Sequence, residues 1–422
     1  MKKERLIFHI DVNSAFLSWS ALDELKKGNP VDLRTIPSIV GGDTKSRHGI
    51  VTAKSIPAKK YGIETAEPVV SAFKKCPNLV MVSPNFQVYS DYSHRLMEHL
   101  TSFCPDIEQA SIDECYMDFT PIADKYPSPE VAAMMIKDSV YETFGFTVNI
   151  GISDKKVLAK MASDFKKPNL VHTLYSYEIQ EKMWPLPLSS LFLCGKSSCD
   201  TLYKLGLRTI GDLAQADLNV LESHMKSMGT TLWQFANGID DSKVVLVHER
   251  AKGIGNSTTL SKDLTTKEEA YKTLLSLSES VGTRLRKQDR KCSVVITEIK
   301  YATFRSVSHQ MGLFTPTCST DAICEAACRL FDELWDGSPV RLLGVRVTKL
   351  SDENEPTQMS IFDFATETTD MSSVTSATSR SIDAEKREKL DKALDSIRTR
   401  FGKDSIKRGS LLDSPDLSDD ED

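Results

Sequence analysis

A chain of 422 residues is too long for one ordinary domain, and about two to four domains are expected. Hydrophobic residues make up 40% and charged residues 27%, which excludes wholesale disorder, and no apolar run approaches the roughly 18 residues of a membrane span. The net charge of −6 argues, taken whole, against a nucleic-acid partner.

The charge is unevenly placed. Residues 352–422 hold 10 Lys/Arg against 18 Asp/Glu, which leaves 43 against 41 in residues 1–351. Within that body, residues 244–351 carry 16 basic against 12 acidic side chains. A mildly basic body therefore stands in front of an acidic tail, and a nucleic-acid footprint has to be sought locally. The nine cysteines are scattered, without zinc-type spacing, and imply free thiols in a reducing cytoplasm. Lys2, Lys3 and Arg5 precede an apolar stretch broken by His9, Asp11 and Asn13, so no signal peptide is expected.

In chain order, Leu6 to Ile10 reads as a buried strand ending at Asp11, followed by a helix from about Ser14 to Lys27. Residues 31–82 mix short strands with a basic stretch that includes Lys45, Arg47, Lys54, Lys59 and Lys60. A helix from Val88 to Phe103 leads to a strand at Ile107–Ile112 and a return strand over 115–119. A helix over Glu130–Phe144, a strand over Thr147–Ile152 and a Lys-rich helix over 153–167 complete an α/β unit. Residues 174–241 read as all-helical. Residues 253–350 form a separate small α/β domain, with strands at Ser293–Tyr301 and Val340–Leu350 around helical stretches 267–288 and 319–335. From Asp352 to Arg380 the chain is a polar linker, and a charged helix over 384–401 follows.

Asp11 ends one strand, and the adjacent Asp113 and Glu114 lie between two others. Neighbours on a regular strand point to opposite faces, so both can serve one site only at a turn or strand end. An Asp after a strand is also a common turn residue or cap. Three carboxylates at the ends of strands in one sheet have the donor chemistry for divalent metals and phosphoryl or nucleotidyl transfer.

The words around these carboxylates are specific. Ser111-Ile112-Asp113-Glu114-Cys115-Tyr116-Met117-Asp118 resembles the S-I-D-E-A-Y-L-D motif of the Y-family translesion DNA polymerases, of UmuC/DinB type. His9-Ile10-Asp11-Val12-Asn13 resembles that family's opening motif. Gly151-Ile152-Ser153, Lys160 and Lys167-Pro168-Asn169 resemble its G-I-S…K-P-N segment. The resemblance covers about residues 1–350.

It implies an α/β (α+β) right-hand architecture with a disordered C-terminal tail. Residues 1–18 and 83–173 would form the palm, 19–82 the fingers, 174–241 a helix-hairpin-helix-like thumb, 242–252 a linker, and 253–350 the little finger. The tail would span 351–422. It implies Asp11, Asp113 and Glu114 as catalytic carboxylates, with the Val12 carbonyl as a further ligand to two Mg²⁺ ions. Lys167 would contact the triphosphate of a deoxynucleotide, and Phe16 would act as a steric gate against the ribose 2′-hydroxyl.

The fingers depart from the family's Y-x-A-R-K-F-G: Ile56 stands for the tyrosine and Lys59 for the arginine, which loses the bidentate fork while keeping a charge for phosphate. The thumb hairpin, usually G-I-G, is Leu193-Cys194-Gly195. In the little finger, Arg284, Arg286, Lys287, Arg290, Lys291, Lys300 and Arg305 would track a duplex backbone.

In the tail, Gln358-Met359-Ser360-Ile361-Phe362 resembles the peptide with which bacterial polymerases bind their sliding clamp. Gln358, Ile361 and Phe362 would be its anchors. Leu390, Leu394, Ile397 and Phe401 recur at helical spacing, as in a helix that either binds a partner or packs on the body.

The expectation is a monomeric, template-directed, low-fidelity polymerase acting on primer-template DNA. Two alternatives are a DNA- and clamp-binding regulatory factor with little polymerase activity, and an unrelated metal-dependent nuclease.

Overall fold

A computed structural model describes residues 5–42, 49–247, 250–352, 374–402 and 405–411. Lys45 and Arg47, the clamp-like peptide with Gln358, Ile361 and Phe362, and the acidic end lie outside these residues. The chain divides into two compact units near residue 248. Among the described residues no helix is long and apolar enough to cross a membrane. All nine cysteines are free.

The first unit is built on a five-stranded sheet in the order Ile107–Gln109, Glu114–Asp118, Ile7–Val12, Val148–Ser153, Val171–Thr173. Its pairs are antiparallel except the last. Strand Ile7–Val12 is covered on both faces, which explains its unbroken apolar run. Phe8, Ile10 and Val12 join a core with Tyr89, Tyr92 and Leu96 of helix Phe86–Thr101 and Ile136 and Val140 of helix Pro129–Phe144. On the opposite face Ile7 packs with Tyr116 and Ala159, the latter from helix Lys156–Asp164. Alternation along the strand then puts His9 and Asp11 on that same side.

Gly151 makes this packing possible. A Cβ there would lie 2.0 Å from the carbonyl oxygen of Ala159 and 2.4 Å from the amide of Ser163. Only a residue without a side chain lets helix Lys156–Asp164 approach the sheet so closely. The strand expected through Ile112 stops at Gln109. There the chain turns, and the amides of Ala110 and Ser111 both donate to the Glu114 carbonyl, at 3.0 and 3.2 Å.

A smaller lobe carries strands Val51–Lys54, Ser38–Gly41 and Val80–Val82 with helix Val69–Lys75, around a core of Ile39, Val51, Val69, Ala72 and Leu79. A helical lobe follows, with helices Lys196–Lys204, Ile210–Ala214, Leu218–Met225 and Ser227–Ala236. Ahead of its first helix Leu193 takes φ +64, the left-handed conformation that a glycine adopts without steric cost. The turn is therefore kept although the expected glycine is absent.

The second unit has a four-stranded antiparallel sheet in the order Ser306–Thr317, Arg290–Tyr301, Val340–Asp352, Gly253–Leu264. Helices Lys267–Lys287 and Thr320–Leu334 share one core with it. The charged helix of the tail runs Val374–Phe401 and packs on this unit. Among the described side chains its contacts are mainly charge pairs, with Leu394 half-buried. The Arg286 side chain, 4% exposed, pairs with Asp395 at 2.6 Å and Asp391 at 3.4 Å. Asp391 accepts the Thr320 backbone amide at 2.8 Å and pairs with Arg408 at 2.9 Å. It thereby caps helix Thr320–Leu334, whose own N-cap Ser319 makes no side-chain bond. Arg398 pairs with Glu279 at 2.8 Å. Leu390, Ile397 and Phe401 stay exposed.

This docking corrects the expectation for Arg286, whose side chain it buries. Arg286 is committed inside the unit, Lys291 pairs with Glu388 at 3.4 Å, and Arg284 and Arg290 donate to the carbonyls of Gly255 and Leu350. Arg305 pairs with Asp336. Lys300 lies across the strands from Leu342 and Ser306, on the face opposite Val295 and Ile299, which belong to the core with the helices.

Candidate active site

The sheet order brings the carboxylates together. Asp11 and Glu114 are direct cross-strand partners. Asp113 sits one residue earlier, in the turn, and its carbonyl accepts the Val12 amide at 3.0 Å. Adjacent residues thus reach one end of the sheet as the turn requires. Like charges directly opposite on neighbouring strands repel. Lys160, from the helix that Gly151 admits, offsets this: its ammonium lies 3.2 Å from Asp11 and 2.5 Å from Glu114. Lys167 adds a contact to Asp11 at 2.8 Å and pairs with Asp164 at 2.8 Å.

The ionisation preferences follow from these contacts. His9 and Lys160 hold the Glu114 carboxyl down to about 2 against the effect of burial. Burial pushes Asp113 up, opposed by a 2.7 Å hydrogen bond from the Ser111 hydroxyl and reinforced by Asp11 and Glu114. Burial alone would lower Lys160, but Asp11 and Glu114 outweigh it and hold the ammonium above the usual lysine value. Burial keeps His9 below the usual imidazole value.

Among the described residues no three carboxylate, histidine or cysteine side chains converge as a ready-made metal cluster. The donor set nonetheless fits a hard divalent cation: three carboxylates and a main-chain carbonyl at a strand end are oxygen ligands. Two lysine ammoniums already stand as cations among them.

Polar residues inside the sheet hold the Lys167 turn in place. The Asn13 side chain accepts the Asn169 amide at 2.8 Å and donates to Asn149. Asn149 donates to the carbonyls of Lys166 and Ser163. Phe16, in the first turn of helix Ala15–Lys26, is partly buried and stacks on Tyr89 with ring centroids 4.7 Å apart. Lys59 and Ile56 are exposed on the small lobe, on helix Ile56–Lys59. The structure thus gathers Asp11, Val12, Asp113, Glu114 and Lys167 at one sheet end and leaves Lys59 apart from those contacts. Asn149, Ser163 and His9 are the residues that motif reading missed as site components. A polar side chain within a buried apolar strand was the available signal for His9 and Asn149.

Strand-end carboxylates faced by lysines have the chemistry to hold divalent cations and phosphate groups. Comparison with known proteins agrees. The model of the impB/mucB/samB family matches residues 10–164, and that of the impB/mucB/samB family C-terminal domain matches residues 251–361. A DNA polymerase IV of Clostridium acetobutylicum is 45% identical over 97% of this chain and 98% of its own. A DNA polymerase IV of Acetivibrio thermocellus is 36% identical over 98% of this chain and 99% of its own. A solved Y-family DNA polymerase chimera of Dbh and Dpo4 superposes with a TM-score of 0.69, covering 82% of this chain and 99% of that one at 21% identity, which bears on the fold alone. The chain belongs to the impB/mucB/samB family, the Y-family DNA polymerases that its motifs resemble.

Proposed function

We propose that the chain is a template-directed, low-fidelity DNA polymerase that extends a primer 3′ end across damaged template, in the bacterial cytoplasm and as a monomer. In this reading residues 1–18 and 83–173 are the palm, 19–82 the fingers, 174–241 the thumb and 253–350 the little finger. The observation that carries it is the cross-strand pairing of Asp11 with Glu114, with Asp113 in the adjoining turn and two lysines facing them.

Asp11, Asp113, Glu114 and the Val12 carbonyl would hold two Mg²⁺ ions. Such ions supply a lowered pKa at the primer hydroxyl and charge neutralisation at the triphosphate. Lys167, tethered through Asn13 and Asn169, supplies a point charge for the triphosphate. Phe16, braced by Tyr89, gates the sugar. Lys59, exposed on helix Ile56–Lys59, supplies a positive charge from the fingers. In the little finger the open sheet face carries Lys300 and Arg346 beside Glu298, Ser257, Ser308 and Gly344. That supports sequence-independent contact of modest strength.

A weak grip makes the tail peptide important. Gln358, Ile361 and Phe362 would dock into the sliding clamp and raise the local concentration of primer ends. Primer extension by purified protein, abolished by chelation and restored by Mg²⁺, is the expected behaviour. Replacing Ile361 and Phe362 with Ala should remove stimulation by the clamp and leave clamp-free extension intact. Extension that survives chelation would defeat the metal assignment, and equal processivity with and without the clamp would defeat the tail's role.

A further inference from the structure

His9 is fully buried, between the carboxylate cluster and helix Lys156–Asp164, and no part of the reaction described above uses it. Its ring lies against Tyr116 with centroids 4.7 Å apart. One nitrogen, Nδ1, is 2.8 Å from the Ser163 hydroxyl. The other, Nε2, has no closer partner than Glu114 Oε2, at 3.5 Å. The same carboxylate oxygen carries Lys160 at 2.5 Å, and Lys160 shares the helix with Ser163.

One arrangement of hydrogens turns the buried ring toward Glu114 as a donor. Burial favours the neutral imidazole, which carries one N–H. An ionised carboxylate can only accept, so a favourable contact with Glu114 requires the hydrogen on Nε2. Nδ1 is then an acceptor, and the Ser163 hydroxyl donates to it. Ser163 also has the Lys160 carbonyl at 2.8 Å as an alternative acceptor, so the hydroxyl's single hydrogen chooses between the ring and the helix. The relay Ser163 O–H to His9 Nδ1 bonds one end of the buried ring and aims the Nε2 hydrogen at the Glu114 carboxylate, 3.5 Å away.

We infer that His9, set in its tautomer by Ser163, is a positioning residue that orients the Glu114 carboxylate for divalent-metal binding. Glu114 is attached to a strand end beside a turn and shares the Lys160 ammonium with Asp11; a donor beneath it limits how far the carboxylate can turn toward that ammonium. Groups that hydrogen-bond to a ligand from behind characteristically change metal affinity by about 10–100-fold.

The inference rests on the metal reading of Asp11, Asp113 and Glu114, and the test separates the two. Mn²⁺ binding to the full-length protein, followed by the electron paramagnetic resonance of the free ion, is compared with thermal stability for each variant. His9→Phe fills the space and keeps the ring contact with Tyr116, but removes both nitrogens. It is expected to bind Mn²⁺ at least about tenfold more weakly while melting near the wild type. His9→Gln, which restores a side-chain donor, is expected to recover most of the affinity. Ser163→Ala should weaken binding in the same direction and add little when combined with His9→Phe. Unchanged Mn²⁺ affinity in a folded His9→Phe protein overturns the inference; if that variant does not fold, unchanged affinity in Ser163→Ala overturns it. Glu114→Ala is the control for the underlying site. If it binds Mn²⁺ as the wild type does, the metal reading itself is what fails.

Discussion

Asp11 and Glu114 face each other across two antiparallel strands, a placement that is unfavourable for two carboxylates unless a cation lies between them. Lys160 is that cation. It arrives on a helix that can sit against the sheet only because residue 151 is glycine. The chemistry at the sheet end therefore depends on a packing requirement on the strand next to that of Asp11.

Removing the ammonium should expose the cost of this arrangement. Lys160→Met leaves two partly buried carboxylates without their counter-charge, and is expected to lower metal-free stability by roughly 1–3 kcal/mol. Mg²⁺ should recover part of the loss. Urea unfolding with and without Mg²⁺ measures both.

Glu114 predicts a pH dependence with a definite sign. Its folded-state pKa, about 2, lies below the ordinary 4.5. The stabilisation it brings is therefore present above about pH 4.5 and lost as pH falls toward 2. Glu114→Gln should be less stable than wild type at pH 7 without metal, on the order of 2 kcal/mol. The difference should close over that acid window in parallel unfolding curves.

Sugar discrimination tests the aromatic at the start of helix Ala15–Lys26. Phe16→Ala opens space beside Tyr89 and is expected to raise ribonucleotide incorporation relative to deoxynucleotide by about tenfold or more, equivalent to roughly 1.4 kcal/mol of lost exclusion. Ratios of kcat/KM for the paired nucleotides measure it. An unchanged ratio would remove Phe16 from the gate.

The tail helix should detach when its charge network is cut. Arg286→Leu strands Asp391 and Asp395 against the second unit, at an expected cost of about 3–5 kcal/mol. Hydrogen exchange across residues 386–401 should rise, together with exchange at the start of helix Thr320–Leu334, which loses the cap from Asp391. A protected helix in Arg286→Leu would show that contacts other than the Arg286 pairs hold it.

The strands that carry the three carboxylates were legible because their words are unusual and their apolar periods strong. Ile7–Val12 and the carboxylate turn appear where the motifs place them. Strands Gly253–Leu264 and Ser306–Thr317 were not legible as such. Their outward positions are Gly, Ser, Thr and Gln, and the inward series Val307, Met311 and Leu313 is interrupted by His309, so alternation is faint in both. The docking of helix Val374–Phe401 was equally hidden. Its leucine and isoleucine spacing suggested an apolar seam, whereas Asp391 and Asp395 make the contact with Arg286, a partner roughly a hundred residues away that spacing cannot reveal. His9 and Asn149 were visible as polar letters in buried strands, but their partners lie in a helix and a turn that only the fold brings near.

The most direct test of the carboxylate site is primer extension on a primed template with Mg²⁺, comparing wild type with Asp113→Ala at equal DNA binding. Template-directed extension by the wild type, and a loss of at least about a thousandfold in the variant, is the expected result. Extension by Asp113→Ala at the wild-type rate, or none by the wild type even with the clamp present, would contradict the account.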